Sequence, residues 1–374
     1  MVPIMVNAAA GPRTQELKLS SVLLGAEAAA FTVSLPAGFD PQSGEHYALL
    51  LELHPRAQPL LAGMHDWMSH NGSWPWLKTI IITAPDGHQG LASLKRAAIY
   101  QRGNHQLLDF FEQALLPAVD AQYPTNGFRI INGFGGNAGL VLYTLFNHPQ
   151  LFNGYIAASP ALADEFAYVL ADGESRLQAI ASAVSARPVF LQISTSDSEF
   201  EQGQLASFER LNRLLTKHAP RGLNWQSKRL DGSYYMSQAV LATAYGIEFI
   251  FNDVHQTLAP TSSISQQWLK AIMAYYQVLS EQVYGFDVSP ISSLIARGQW
   301  LEQQDSAQAA NYYQQCIERF PTHHSLRYQF AQVLRAQGRD SEAAKQLQQA
   351  VANTNHPFWI NKYQQALAEL TAVD

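Results

Sequence analysis

Short apolar runs alternate with amphipathic stretches over the first two thirds of the chain. Seven of these runs are four to seven residues long and predict β-strands. They are Ala30–Ser34, Ala48–Leu53, Lys78–Thr83, Phe128–Asn132, Tyr155–Ala158, Val189–Thr195 and Asn224–Leu230. The stretches between them, which include His105–Tyr123, Leu140–Asn147 and Gln204–His218, have helical spacing. Strands that alternate with helices predict a mostly parallel sheet covered by helices on both faces, an α/β fold.

The pattern changes near Leu258–Ser263, beyond which only helical periodicity is found. A repeat with a period of 34 residues follows, and its paired positions are Trp300 and Leu334, Ala309 and Ala343, Tyr313 and Leu347, and Cys316 and Ala350. Two helix pairs at this spacing resemble tetratricopeptide repeats, and a helix over Pro357–Leu370 is expected to cap them. An unrelated helical tail is the alternative. We predict an α/β domain over 1–258, a helical connector over 259–292 and helical repeats over 293–374.

The composition is that of a globular protein, with 47% hydrophobic and 14% charged residues. A net charge of −6 argues against nucleic-acid binding, and the single cysteine, Cys316, excludes an internal disulfide. The segment Met1–Asn7 lacks the basic region of a signal peptide, and no run approaches the roughly 20 apolar residues of a membrane span. We expect a cytoplasmic protein without a membrane span; a periplasmic location is the alternative if a leader has been removed.

The segment Ile131–Gly139 has the form of a nucleophile elbow without a nucleophile. Its centre, Gly133-Phe134-Gly135-Gly136-Asn137, matches G-x-S-x-G with Gly135 at the serine. An apolar run before it suits a buried strand, and the apolar run after it suits the following helix. Glycine has no side chain to attack a carbonyl, and it adopts positive φ without the strain that serine would bear. The sequence therefore predicts the scaffold of a hydrolase from which the reactive atom is missing.

The stretch Ile131–Leu162, with its ending Asn147–Pro160, resembles the Putative esterase family of α/β-hydrolases. This family includes siderophore esterases and relatives of esterase D. The run Gly103–Pro124 resembles the family's helix before the elbow strand, and Glu16–Pro36 resembles its opening strands. Some members carry a similar repeat-type C-terminal extension. The resemblance implies an α/β-hydrolase fold followed by a small all-helical repeat domain.

The resemblance does not carry the family's catalytic residues onto this chain. Gly135 stands at the nucleophile position and Phe134 at the preceding histidine, while Asn137 and Ala138 replace the two glycines that follow. Aligned on the helix that starts after Ser237, the general base falls on Tyr235. A tyrosine with an ordinary pKa of about 10 is a poor proton acceptor at neutral pH.

The loop after the Val189–Thr195 strand would supply the triad acid, for which Asp197 and Glu199 are both candidates. An exposed acidic loop is the alternative interpretation. For the oxyanion hole, the resemblance implies the backbone N–H of Gly136 as one donor. Phe134, Asn137, Ser159 and Tyr234 complete the candidate residues of the old cleft.

No motif predicts a metal or a cofactor. His54, His65 and His70 are near one another in sequence but lack metal-ligand spacing. The glycines of the elbow also match the G-x-G-x-x-A form of a dinucleotide-binding loop, but the hydrolase resemblance downstream is stronger. Five aromatic residues, which either line the old cleft or belong to ordinary packing, are Trp67, Trp74, Trp76, Tyr234 and Tyr235.

These observations favour a catalytically degenerate α/β-hydrolase that acts in binding. The old cleft is expected to hold a small carbonyl or carboxylate ligand, and the repeats are expected to contact a protein partner. The alternative is a weak or unconventional ester hydrolase with a relocated nucleophile, for which Ser159, Ser233 and Ser237 are the candidates.

Overall fold

The computed structural model of the protein describes residues 12–69, 76–163 and 165–371. Contacts group the chain into two compact units. The first unit contains the residues up to His255 together with Gln282–Phe286, and the second contains Gln256–Glu281 and the residues from Asp287 onward. The predicted connector over 259–292 is thus divided between the two units, and the boundaries at 258 and 292 stay predictions.

Within the described residues, the first unit contains an eight-stranded sheet. Its strands are β1 (Arg13–Leu19), β2 (Ala29–Leu35), β3 (Tyr47–Glu52), β4 (Thr79–Thr83), β5 (Thr125–Phe134), β6 (Gly154–Ala158), β7 (Val189–Thr195) and β8 (Leu223–Arg229). Every residue of β3, β4, β6 and β7 is buried. Strands covered on both faces need such continuous apolar runs, which is why the sequence pattern locates them.

The strands are ordered β1-β2-β4-β3-β5-β6-β7-β8. β2 pairs antiparallel with β1 and β4, and every pair from β4 to β8 is parallel. The carboxyl ends of the parallel strands therefore share one edge of the sheet, where ligand sites of open α/β sheets lie. The predicted mostly parallel sheet is confirmed.

Helices cover this sheet. In the first unit they are α1 (Gln58–Ser69), α2 (Gln89–Tyr100), α3 (Gln106–Phe110), α4 (Leu116–Gln122), α5 (Gly136–Asn147), α6 (Gly173–Ala179), α7 (Ala181–Ala186), α8 (Leu205–His218), α9 (Gln238–Ile250) and α10 (Asn252–His255). α1 packs against β2 and β4, whereas α9 packs against β5, β6 and β7. α5 packs against β5 and β6, and its residues from Ala138 to Phe146 are all buried.

Two elements differ from the sequence prediction. β1 is absent from the seven predicted strands because it is an edge strand in which only Leu17 is buried, so it has no apolar run. The predicted helix His105–Tyr123 is interrupted by a π-helical stretch, Phe111–Leu115. This interruption precedes Pro117, which has no N–H to donate and whose ring clashes with the carbonyl four residues earlier.

The second unit is helical throughout the part that the structure describes. Its helices are α11 (Ser263–Gln266), α12 (Trp268–Val278), α13 (Ile291–Gln304), α14 (Ser306–Arg319), α15 (His324–Ala336), α16 (Asp340–Ala352) and α17 (Pro357–Thr371). α13 pairs with α14, α15 pairs with α16, and α17 packs on α16. The residues at three of the four repeat-paired positions are buried in both copies, whereas Trp300 is half-exposed under the Arg297 guanidinium.

Gly298 of α13 has no room for a side chain, since a Cβ atom there would lie 2.6 Å from Cε1 of the buried Tyr313. We expect Gly298→Ala to lower the free energy of unfolding by about 1–3 kcal/mol, because overpacking displaces core side chains. Urea unfolding followed by circular dichroism measures the loss. In the control Gly63→Ala, nothing lies within 4 Å of the added Cβ, and the change should be neutral or stabilising by up to about 1 kcal/mol. An equal loss in both variants would contradict the packing argument.

Candidate functional site

A tight turn joins β5 to α5 at the carboxyl edge of the sheet. Gly135 forms this turn with φ 60° and ψ −119°. Its N–H donates to the Ala158 carbonyl at 3.0 Å, and its own carbonyl accepts from the N–H groups of Gly139 and Ala161. A Cβ atom on Gly133 would lie 2.7 Å from the backbone of Asn137. The strand and the helix therefore approach so closely that only glycine fits at position 133.

The hydroxyl of Tyr235 lies directly over this turn. A Cβ atom on Gly135 would be 3.1 Å from it, which is tighter than an ordinary contact. The Tyr235 ring packs against Phe134 at 4.6 Å and against Phe200 at 5.5 Å between ring centroids. Tyr235 begins the 3-10 turn that leads into α9. A side chain at position 135 would thus point at the Tyr235 hydroxyl.

Tyr235 is half-buried, and its surroundings favour the neutral phenol. Burial raises the pKa of Tyr235 above its ordinary value, and the nearby charge of Glu201 raises it further. A phenol whose pKa is raised keeps its proton at neutral pH. Tyr235 therefore keeps its O–H at neutral pH and is not a base there.

A buried carboxylate follows β7. Glu201 is 2% exposed and accepts five hydrogen bonds. Its donors are the hydroxyls of Ser159, Thr195, Ser196 and Ser198 and the backbone N–H of Ser196. Such a set of donors satisfies a buried charge without a cation.

The two predicted candidates for the triad acid are exposed. Asp197 accepts a hydrogen bond from the Gly232 N–H at 2.8 Å and so ties the loop after β7 to the loop after β8. Glu199 begins the 3-10 turn Glu199–Gln204. Sequence reasoning selected this loop but missed Glu201 as its buried acid. The flanking hydroxyl residues were the available signal, because a buried carboxylate needs donors close by.

Ser159 is the candidate serine in direct contact with Glu201. It follows β6 with φ 48° and is 6% exposed, and its Oγ donates to Glu201 Oε1 at 2.5 Å. Ser233 and Ser237 are half-buried in the loop after β8. Tyr234, in the same loop, is 85% exposed. A hydroxyl that donates to a carboxylate and is shielded from solvent has little access to a substrate.

The N-terminus of α5 opens on the same edge of the sheet. Gly136, which is exposed, is its first residue. The first N–H groups of a helix have no intrahelical acceptor, and they attract oxygen atoms that carry negative charge. Gly136 and the Tyr235 hydroxyl therefore offer two donors beside Gly135.

A separate cavity lies behind Phe134, between α1 and α9. It has a volume of about 130 Å³, and its walls are mostly apolar. Glu52, at the end of β3, forms its polar part together with Asn132 and Thr243. Phe134 is a wall of this cavity and also packs on Tyr235, so it separates the two features.

The Glu52 carboxyl is 2% exposed. It accepts hydrogen bonds from the His54 N–H at 3.0 Å and from Asn132 Nδ2 at 2.8 Å. Burial raises the pKa of Glu52 to about 8, although these hydrogen bonds and the charge of Lys95 act in the opposite direction. At neutral pH, Glu52 is therefore mostly protonated and can donate a hydrogen bond.

The other predicted positions are dispersed. His65 is buried against Trp76, and burial lowers its pKa to about 4. Trp67 is 72% exposed, and His70 and Trp74 lie outside the described residues. Among the residues that the structure describes, no three His, Cys, Asp or Glu side chains are grouped to hold a metal ion. No described helix is both long and apolar enough to cross a membrane.

Two family models match the sequence. The model described as Putative esterase covers residues 27–230, more than half of the chain. The model described as Tetratricopeptide repeat covers residues 301–370 and confirms the predicted repeat-type extension. No curated protein matches the chain.

Solved structures resemble this chain over most of its length. An uncharacterised protein from Capnocytophaga ochracea is 16% identical with a TM-score of 0.66, and the match covers 96% of this chain and 100% of that one. An IroE-like serine hydrolase from Shewanella oneidensis is 22% identical with a TM-score of 0.61, covering 82% and 100%. Siderophore hydrolase EstA from Aspergillus nidulans is 18% identical with a TM-score of 0.50, covering 67% and 98%. At such identities the likeness establishes the fold alone, and it confirms the predicted α/β-hydrolase fold.

We expect Gly135→Ala to lower the free energy of unfolding by about 1–3 kcal/mol, because a Cβ at positive φ is strained and because it meets the Tyr235 hydroxyl. In the Tyr235→Phe background the same substitution should cost less, since the hydroxyl is gone. Urea unfolding of the four proteins measures this coupling. Gly136→Ala is the control, because its Cβ would lie 3.9 Å from Phe166 and is not strained. Equal losses at 135 and 136 would refute the interpretation.

The raised pKa of Glu52 makes the stability of the fold depend on pH. The folded protein keeps this proton up to about pH 8, whereas an unfolded glutamate releases it near 4.5. Stability contributed by the bound proton is complete below pH 4.5 and is lost as the pH rises toward 8. We expect the free energy of unfolding of Glu52→Gln, relative to that of the native chain, to rise by about 4–5 kcal/mol between pH 4 and pH 9.

Urea unfolding across this pH range measures that difference. Glu16→Gln, whose side chain is 64% exposed, is the control and should show no such trend. If the difference in the free energy of unfolding between Glu52→Gln and the native chain does not change with pH, Glu52 is ionised in the folded protein.

Proposed function

This chain belongs to the Putative esterase family of α/β-hydrolases, and we propose that it is a binding protein in which the family's catalytic triad has decayed. One observation carries the proposal. The turn that presents the nucleophile in such a fold is formed here by Gly135, and the Tyr235 hydroxyl lies 3.1 Å from where its Cβ would be.

Each part of a Ser-His-acid triad is missing or altered. Gly135 has no atom that can attack a carbonyl, so no acyl-enzyme can form on it. Tyr235, which aligns with the general base, has a raised pKa and keeps its proton at neutral pH. Glu201 already accepts five hydrogen bonds, and none of these comes from an imidazole.

The same arrangement supports binding. The Gly136 N–H and the neutral Tyr235 hydroxyl are two donors next to Gly135, suited to a carbonyl or carboxylate oxygen. Two apolar side chains near them are largely exposed: Phe200 at 78% and Tyr234 at 85%. Exposed apolar groups around polar donors favour a ligand that has both an oxygen and an apolar part.

The second unit supports a protein partner. Tetratricopeptide repeats are generally protein-interaction modules, and the repeat match spans α14 to α17. Phe358, at the start of α17, is 59% exposed and packs on Trp359. The exposed Phe358 ring, packed on the half-buried Trp359, is a contact for such a partner, because aromatic side chains are enriched at interfaces.

A second candidate function is ester hydrolysis from a relocated nucleophile, and the contact of Ser159 with Glu201 favours it. The positive φ of Ser159 is a strained conformation of the kind found at active sites. The burial of Ser159 argues against this function, because the Oγ is enclosed.

Purified protein tests the proposal. With p-nitrophenyl acetate we expect no saturable turnover, and with a fluorophosphonate probe we expect no stoichiometric labelling. Labelling that disappears in Ser159→Ala would establish the relocated nucleophile and overturn the proposal, as would labelling at any other serine.

The double variant Gly135→Ser, Tyr235→His is the positive control. It restores a nucleophile and removes the hydroxyl that obstructs it, so we expect fluorophosphonate labelling at position 135. Gly135→Ser alone should label much less, because Tyr235 still occupies the space and supplies no base. Equal labelling of the single and the double variant would contradict the assignment of Tyr235 to the base position.

A further inference from the structure

We propose that the cavity behind Phe134, which we call the Glu52 cavity, is a ligand site for a compact, uncharged and mostly apolar molecule with one hydrogen-bond-accepting oxygen. This site is distinct from the donors beside Gly135. Its described lining includes Gly133 and Phe134 but not Gly135, Gly136 or Tyr235. The inference therefore holds whether or not the turn at Gly135 is catalytic.

The cavity arises from the way two helices cover the sheet. α1 packs on β2 and β4, and α9 packs on β5, β6 and β7, while β3 lies between these two groups of strands. Leu60 and Leu61 of α1 face Ala239 and Thr243 of α9 across this gap. The small side chain of Ala239 leaves the space open.

The volume selects a small ligand. A cavity of about 150 Å³ with apolar walls binds benzene, and this cavity measures about 130 Å³. It therefore accommodates a group of roughly the size of one aromatic ring. Apolar walls formed by Leu60, Ala239 and Met236 disfavour water and favour a hydrocarbon group.

The polar part of the cavity is a hydrogen-bonded cluster. Glu52 and Asn132 are register partners on adjacent parallel strands, and Asn132 Nδ2 donates to Glu52 Oε2 at 2.8 Å. Thr243 Oγ1 of α9 contacts Asn132 Oδ1 at 3.2 Å. All three side chains are 5% exposed or less. Their positions are therefore held by the sheet and by α9 and not by the ligand.

The protonation state of Glu52 and the charges of its neighbours determine which class of ligand the cavity favours. Burial raises the pKa of Glu52 to about 8, so that at neutral pH its O–H is a donor. His54 and Arg56, both exposed, are at the rim, and Lys95 donates to the Leu53 carbonyl behind it. α9 adds Met236, Ala239 and Thr243 to the lining, none of which is ionisable. The cationic Arg56 and Lys95 disfavour an ammonium ligand, and a protonated acid favours a neutral acceptor.

Three probe molecules of similar size test the proposal on the full chain. Acetophenone carries a carbonyl acceptor, toluene carries no polar group, and benzylamine carries a cation. We expect acetophenone to bind about tenfold more tightly than toluene, because one net hydrogen bond contributes about that factor, and benzylamine to bind most weakly. Titration followed by NMR of the Met236 methyl group measures the dissociation constants. The proposed ligand class would be overturned if acetophenone bound no better than toluene, or if benzylamine bound best.

Substitutions of Glu52 test whether its carboxyl is the hydrogen-bond donor to the probes. Glu52→Leu should abolish the preference for acetophenone, and Glu52→Gln should keep it, since an amide also donates. Above pH 9 the native chain should lose the preference while Glu52→Gln retains it. A native preference that does not change with pH would show that Glu52 is not the donor.

Filling the cavity supplies the last test. Ala239→Phe should abolish binding of acetophenone and toluene, and Ala57→Leu fills the same space from the opposite wall if the first variant does not fold. Val240→Phe, one residue along α9 and outside the lining, is the matched control and should bind as the native chain does. Unchanged binding in both filled variants would show that the probes bind elsewhere.

Discussion

The close approach of the end of β5 to the start of α5 is the constraint on which the rest of the site depends. Gly133 leaves no room for a side chain beside the Asn137 backbone, and Gly135 turns the chain at positive φ. The Gly135 N–H then holds the end of β6 through Ala158, and the Ser159 N–H holds the end of β7 through Ser194. These two hydrogen bonds link the carboxyl ends of β5, β6 and β7 beside the turn.

Local pattern is sufficient for the elements whose burial is complete. The strands from β3 to β7 contain runs of apolar residues that no other structure accommodates as well, and the glycines of the elbow are required by backbone geometry. The pattern does not predict β1, because only Leu17 of that strand is buried. The pattern also does not predict which way the side chains of a loop point. Asp197, Glu199 and Glu201 are alike in sequence, and only the turn after β7 points Glu201 toward Ser159 and leaves the other two in solvent.

A cavity between two helices cannot be derived from the sequence of either one. Ala239 and Leu61 read as ordinary members of amphipathic helices, and the space between them depends on where α1 and α9 lie on the sheet. Glu52 does carry a signal, because a carboxyl at the end of a fully buried strand must find hydrogen-bond donors in the interior.

Phe134 contacts Tyr235 and also lines the Glu52 cavity. In the resembling family a histidine precedes the nucleophile, and here an apolar ring takes its place, packing on Tyr235 on one side and lining the Glu52 cavity on the other. An imidazole at this point would bring polar atoms to both sites. The phenyl ring instead presents an apolar surface to both sites, and burial is the largest cause of the raised pKa at Tyr235 and at Glu52. Phe134 thus lies beside two acidic groups, Tyr235 and Glu52, whose raised pKa values keep them mostly protonated at neutral pH.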